Sequence, residues 1–197
     1  MNLPLPTPAM LLAVYFAGEL YLMRSRLSSD GSRRADRGSL RLLLVTIGVS
    51  VSLAWLAGRV FPQASFAALS GLDPTALRPV YGVGLGLFLA GVAFRWYAMA
   101  YLGRSFTFDV AVDADQRVID TGPYRRIRHP AYTGSLLSFI GLGLCGGNAL
   151  SLGVLVLPIA VAFLRRIVVE EAAMTATLGQ RYADYAARTK RLVPFVY

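Results

Sequence analysis

Three stretches of this chain, about Leu40–Phe61, Pro79–Leu102 and Ala149–Val169, stay apolar over more than twenty residues each. A helix needs about 20 such residues to cross the hydrocarbon core of a bilayer. Backbone polar groups in that core must pair within the segment, which leaves the helix as the available form. Two shorter apolar segments, about Pro8–Met23 and Pro130–Cys145, complete a set of five. Only Gly146, Gly147 and Asn148 separate the last two segments, so they are expected to form an antiparallel hairpin. The GLGLCGG run at 141–147 offers small residues that let helix backbones approach closely. The sequence therefore predicts an all-α integral membrane protein of about five transmembrane helices. At 197 residues it is expected to be a single domain, with residues 1–78 as an N-terminal helix pair and 79–197 as a core.

The charges are sparse and partitioned. Charged residues make up 16% of the chain, against about 25% in an average soluble domain. The net charge is +9. With five crossings, 18 of the 20 basic residues fall in the 24–41 and 103–128 stretches, the tail and the adjoining end of the third helix. Only Arg59 and Arg78 fall on the other side. Positive charge gathers on the cytoplasmic side of membrane proteins. The expected orientation in the cytoplasmic membrane is N-terminus outside and C-terminus in the cytoplasm. This partition accounts for the basic character without nucleic acid. The first apolar segment has no positive flank before it, as expected of a retained helix rather than a cleaved leader. One cysteine, Cys145, rules out an internal disulfide, and one histidine argues against a His-based zinc site.

Between the third and fourth helices the pattern changes. Phe106, Phe108, Val110 and Val112 alternate with Thr107, Asp109, Ala111 and Asp113, a period of two. A turn at 113–116 and a return strand at 117–120 would make a small hairpin or extended arm. Beyond the fifth helix, Leu178-Gly179 reads as a break, followed by a cytoplasmic helix at about Gln180–Arg188.

Two constellations carry chemistry. The 121–134 stretch, TGPYRRIRHPAYTG, is a basic loop feeding a helix whose first residue is Pro130. His129 sits at the helix entry, beside free N–H groups and the positive end of the dipole. Tyr124 and Tyr132 are aromatic faces for a cation or a base. The same residues also describe a juxtamembrane basic turn with an interfacial aromatic belt. The second constellation places Arg166 and Glu170 four apart on one helix face, with Glu171 beside them. Ionisable groups at that depth face a bundle interior or wet cavity, or form an interfacial ion pair with snorkelling arginines. The Gly82-Val-Gly-Leu-Gly86 run mimics a nucleotide loop but lies inside an apolar helix, where close helix packing explains it.

Taken together, Gly-Pro-Tyr (122–124), Arg-His-Pro-x-Tyr-x-Gly (128–134), Arg-x-x-x-Glu-Glu (166–171) and Gly-x-x-Tyr-x-x-Tyr (179–185) resemble the isoprenylcysteine carboxyl methyltransferases and their bacterial relatives. The match spans about residues 100–195, and the His-Pro-x-Tyr pattern is also similar to the phospholipid methyltransferases. The resemblance implies a membrane-embedded methyltransferase that uses S-adenosylmethionine on a lipid or prenylated small-molecule acceptor. A carboxylate or hydroxyl oxygen is the expected methyl acceptor, with phospholipid N-methylation as the alternative. A non-catalytic membrane assembly or structural protein is the competing class. By resemblance, Tyr124, His129, Tyr132, Gly134, Glu171, Tyr182 and Tyr185 would hold the cofactor, and Arg166 and Glu170 would stand at the reacting end. No metal is implied.

Overall fold

The computed structural model describes residues 5–26, 38–103, 106 and 117–194. Five apolar helices follow one another: α1 (Pro8–Arg26), α2 (Ser39–Val60), α3 (Arg78–Leu102), α4 (Pro130–Cys145) and α5 (Ala149–Leu178). A short helix, α6 (Gln180–Arg188), follows α5. By length and composition α2, α3 and α5 can each cross a membrane, while Pro8–Leu22 and Pro130–Cys145 are shorter apolar helices. Leu44, Val49, Leu53, Leu56, Leu89, Leu157 and Val161 all point outward. Such a continuous apolar exterior belongs against lipid, not water. The protein is an integral membrane protein.

Helix α3 packs most extensively on α4. Two glycines on each, spaced seven apart, make this possible. Gly84 meets Gly141, and Gly91 meets Gly134, in antiparallel order. A Cβ on Gly91 would lie 2.6 Å from Gly134 O and Ser138 N, and one on Gly134 would lie 2.6 Å from Gly91 O. These neighbours are backbone atoms and cannot step aside. Gly82 and Gly86 of the nucleotide-loop mimic have open space beside them, so Gly84 alone of the three makes this contact.

Helix α5 lies against α2 and α4. Asn148 caps it, its Oδ1 accepting from Ser151 N at 2.9 Å while its Nδ2 donates to Phe61 O at 3.0 Å. Ser151 Oγ donates to Ala54 O at 2.7 Å, tying α5 to the far end of α2. At the other end of the bundle, Arg95 of α3 forms a two-pronged ion pair with Glu19 of α1, both bonds 2.6 Å long. That pair is largely buried, so each charge depends on the other.

Helix α5 has 30 residues and spans about 45 Å, longer than a roughly 30 Å hydrocarbon core. Its last turns, with Glu170 and Glu171, therefore project beyond the apolar slab. The expected return strand at 117–120 forms no strand. The outward half of the expected arm, from Thr107 to Gln116, lies outside the described residues. The tail makes extended contact instead: Ile127 and Lys190 form a parallel β-bridge, and Arg128 N and His129 N donate to Lys190 O and Arg191 O at 2.7 and 3.0 Å.

The glycine contact generates a prediction. Gly91→Ala should destabilise the protein by about 1–3 kcal/mol through overpacking, seen as a lower melting temperature in detergent. Gly82→Ala should not lower it. Equal melting of the two variants would contradict this packing.

Candidate active site

The first turn of α4 and the last turns of α5 meet at the same end of the bundle. Pro130 opens α4, and its missing N–H is no loss there. His129 is the capping residue, buried, with its carbonyl accepting from Tyr132 N and Thr133 N. Its ring stacks on Tyr132 at 5.5 Å with the planes 15° apart. His129 Nε2 lies 3.2 Å from Glu171 Oε1, and Nδ1 lies 3.8 Å from Glu170 Oε2.

Tyr132 joins the two charged residues expected at the reacting end. Its hydroxyl donates to Glu170 Oε2 at 2.8 Å and accepts from Arg166 Nε at 3.0 Å. Arg166 is itself buried, and its other arm donates to Ser39 Oγ of α2 at 2.8 Å. The helix-face expectation for Arg166 and Glu170 is thus realised through a tyrosine that stands between them.

Tyr124 sits in a 3-10 turn, Gly122–Arg125. Its hydroxyl donates to Ala98 O at 3.2 Å, and its carbonyl accepts from Tyr185 Oη at 2.8 Å. Tyr182 and Tyr185 form the buried face of α6. Burial pushes the Tyr182 hydroxyl above its usual range, and the negative charge of Glu171 pushes the same way. Burial likewise raises Tyr124, with Glu170 adding to it. Both hydroxyls stay protonated and can donate.

Tyr124, His129, Tyr132, Glu170, Tyr182 and Tyr185 line one cavity. Its remaining wall includes Arg117, Arg128, Met174 and the apolar side chains of Leu102 and Phe106. Among the described residues, the Tyr182 hydroxyl is buried without a hydrogen-bond partner. A buried polar atom is nearly always satisfied, and one left orphaned on a cavity wall fits a ligand that supplies the missing partner. Cationic, anionic and aromatic groups around one space match an amino acid and a nucleoside in a single ligand.

Three expected residues stand elsewhere. Arg166 and Glu171 lie one contact behind the cavity wall, reaching it through Tyr132 and His129. Gly134 gives way to a packing role, because its open face is filled by Gly91 and Arg95 of α3. Residues not singled out from the sequence are as informative. Arg128 donates to Glu171 Oε1 at 2.8 Å and to the carbonyls of Ala186 and Thr189 at 3.0 and 2.5 Å. Arg191 Nε donates to Glu171 Oε2 at 3.0 Å. Arg128 adjoins His129 in the motif, which is a local signal; Ser39 and Arg191 carry none.

The bundle and this site define a membrane-embedded transferase whose polar pocket opens at one end of the helices. Comparison with known proteins places it further. The phospholipid methyltransferase family model matches residues 80–181. A probable protein-S-isoprenylcysteine O-methyltransferase from Oryza sativa subsp. indica is 32% identical over 141 residues, 67% of this chain and 74% of the relative. Protein-S-isoprenylcysteine O-methyltransferase B from Arabidopsis thaliana is 30% identical over 115 residues, 57% of this chain and 58% of the relative. The solved eukaryotic intramembrane Ras methyltransferase, isoprenylcysteine carboxyl methyltransferase, shares the fold with a TM-score of 0.68 at 20% identity, covering 98% of this chain and 70% of that one. The chain belongs to the phospholipid methyltransferase family, in its isoprenylcysteine carboxyl methyltransferase branch. It is a methyltransferase, which sets aside the non-catalytic class.

The bridging hydroxyl can be tested alone. Tyr132→Phe removes two hydrogen bonds to charged groups and leaves the ring stack. Methyl transfer should slow by about tenfold or more, and the melting temperature in detergent should fall as buried Arg166 loses a partner. Unchanged turnover would remove the Tyr132 hydroxyl from the machinery.

Proposed function

We propose that this protein methylates a carboxylate or hydroxyl oxygen on a lipid-like, prenylated acceptor, using S-adenosylmethionine, at the cytoplasmic face of the cytoplasmic membrane. The observation that carries the reading is the meeting of His129, Tyr132 and Glu170 on one cavity wall beside the Tyr182 hydroxyl, which has no hydrogen-bond partner among the described residues. The printed names of the relatives, protein-S-isoprenylcysteine O-methyltransferases, support the acceptor class. The clustering of basic residues at this end supports the orientation, with the C-terminus in the cytoplasm.

When bound, S-adenosylmethionine supplies an electrophilic methyl group on a sulfonium. Tyr124, His129, Tyr132, Tyr182 and Tyr185 are the residues that would hold it. The chain's own task is positioning, since holding two reactants in contact supplies much of the rate. Arg166, fixed by Ser39 and Tyr132, would orient an anionic acceptor oxygen. Glu170, held by the Tyr132 hydroxyl, would keep Arg166 and Tyr132 in register. A carboxylate acceptor is already anionic and needs no base. A hydroxyl acceptor would pass its proton to Glu170. The core 79–197 carries the cofactor residues, and the 1–78 helix pair adds Ser39 behind Arg166.

Purified protein with labelled S-adenosylmethionine and a prenylcysteine acid should yield a base-labile methyl ester. Glu170→Gln should lower that rate by about a hundredfold, because Arg166 and Tyr132 lose the group that keeps them in register, while the protein still inserts. Label appearing instead on a phospholipid amine would favour the N-methyl alternative, and full activity of Glu170→Gln would remove Glu170 from the mechanism.

A further inference from the structure

Glu171 was expected at the cofactor, yet its two oxygens are already taken. Oε1 accepts from Arg128 Nε at 2.8 Å and lies 3.2 Å from His129 Nε2. Oε2 accepts from Arg191 Nε at 3.0 Å and lies 2.9 Å from its second nitrogen. An ionised carboxylate only accepts hydrogen bonds. The ring nitrogen facing it must therefore carry a proton. In neutral imidazole the other nitrogen is then an acceptor. That nitrogen, Nδ1, lies 3.8 Å from Glu170 Oε2, too far for a hydrogen bond between them. Both residues stand on the cavity wall.

We propose that Glu171 is a positioning residue that, gripped by Arg128 and Arg191, fixes His129 as the Nε2–H tautomer and leaves Nδ1 as a hydrogen-bond acceptor for a donor N–H of the ligand. The grip comes from two separate parts of the chain. Arg128 precedes the histidine, and its terminal nitrogen also binds the Thr189 and Ala186 carbonyls. Arg191 lies in the tail that pairs with residues 126–129. His129 N donates to Arg191 O at 3.0 Å, so the same tail residue holds the histidine by its backbone and the carboxylate by its side chain. The ring cannot turn over without breaking its bond to Glu171 and its stack on Tyr132. Nδ1 and Glu170 Oε2 are close enough that one ligand nitrogen bearing two hydrogens reaches both. The ligand half of this inference rests on the cofactor reading; the tautomer half does not.

The chain has one histidine, so its nitrogen spectrum carries a single ring. Full-length protein labelled with 15N-histidine in detergent, at mildly alkaline pH, should show a protonated Nε2 and an unprotonated Nδ1. The opposite tautomer, an averaged pair or a doubly protonated ring would overturn the proposal. Adding S-adenosylhomocysteine, with binding verified by thermal shift, should move the Nδ1 signal toward a hydrogen-bonded value. Binding without that movement would overturn the acceptor role. An absence of any thermal shift would instead reject the cofactor reading, while the tautomer result stands by itself. In Glu171→Ala the tautomer preference should be lost and S-adenosylhomocysteine should bind about tenfold more weakly. Retention of a pure Nε2–H ring in that variant would show that Glu171 does not set it. If Glu171→Ala fails to fold, the wild-type spectrum decides.

Discussion

A carboxylate at the end of a membrane span must be paired, and Glu171 is paired from three directions. Arg128, His129 and Arg191 converge on it from the α4 entry and the C-terminal tail. Removing a partner from such a cluster leaves a charge without compensation, which costs far more than the cluster gains over an apolar equivalent. The cluster therefore dictates where the other parts can stand. It draws the 126–129 loop to the tail, brings α6 across the pocket, and holds His129 beside Glu170. Without it, α6 would keep the Tyr182 and Tyr185 face, the Tyr185 bond to Tyr124 O and the exposed Arg188–Asp120 ion pair.

The depth of that cluster follows from two lengths. Helix α4 is short, and its glycine contact with α3 fixes it lengthwise in the bundle. Helix α5 is nearly twice as long and overshoots it. The overshoot carries Glu170 and Glu171 past the apolar slab to the level of His129. Arg166, one turn earlier, stays buried and depends on Tyr132 and Ser39 for partners. The result is graded polarity: aqueous chemistry at the helix entry, a buried cation just beneath it, and apolar side chains below. That gradient suits a reaction between a water-soluble donor and a lipid-like acceptor.

Much of this was legible in the sequence, and for physical reasons. Apolar length sets the membrane helices, and the hairpin at 146–148 follows from a three-residue gap. His129, Tyr132 and Glu170 lie in local motifs, so their neighbourhood could be anticipated. Ser39 could not, because its bond to Arg166 joins residues 127 apart in the chain. Arg191 reads as one more basic tail residue until the tail pairs with the loop. Gly134 shows the reverse limit. It lies inside the motif, yet its value is the space it leaves for Gly91 and Arg95. A glycine's use is decided by what approaches it, and that is a property of the partner helix. The expected return strand at 117–120 is not a strand, and most of the alternating stretch it was expected to pair with, at 106–113, lies outside the described residues.

The helix entry at His129 and the acidic end of α5 line one cavity, proposed above as a single ligand site. Titration calorimetry of the folded, detergent-solubilised protein with S-adenosylhomocysteine tests whether it binds a ligand. Saturable one-to-one binding is expected, weakened by both His129→Ala and Tyr182→Phe. A folded protein that gives no binding heat, or binding that neither substitution alters, would contradict it.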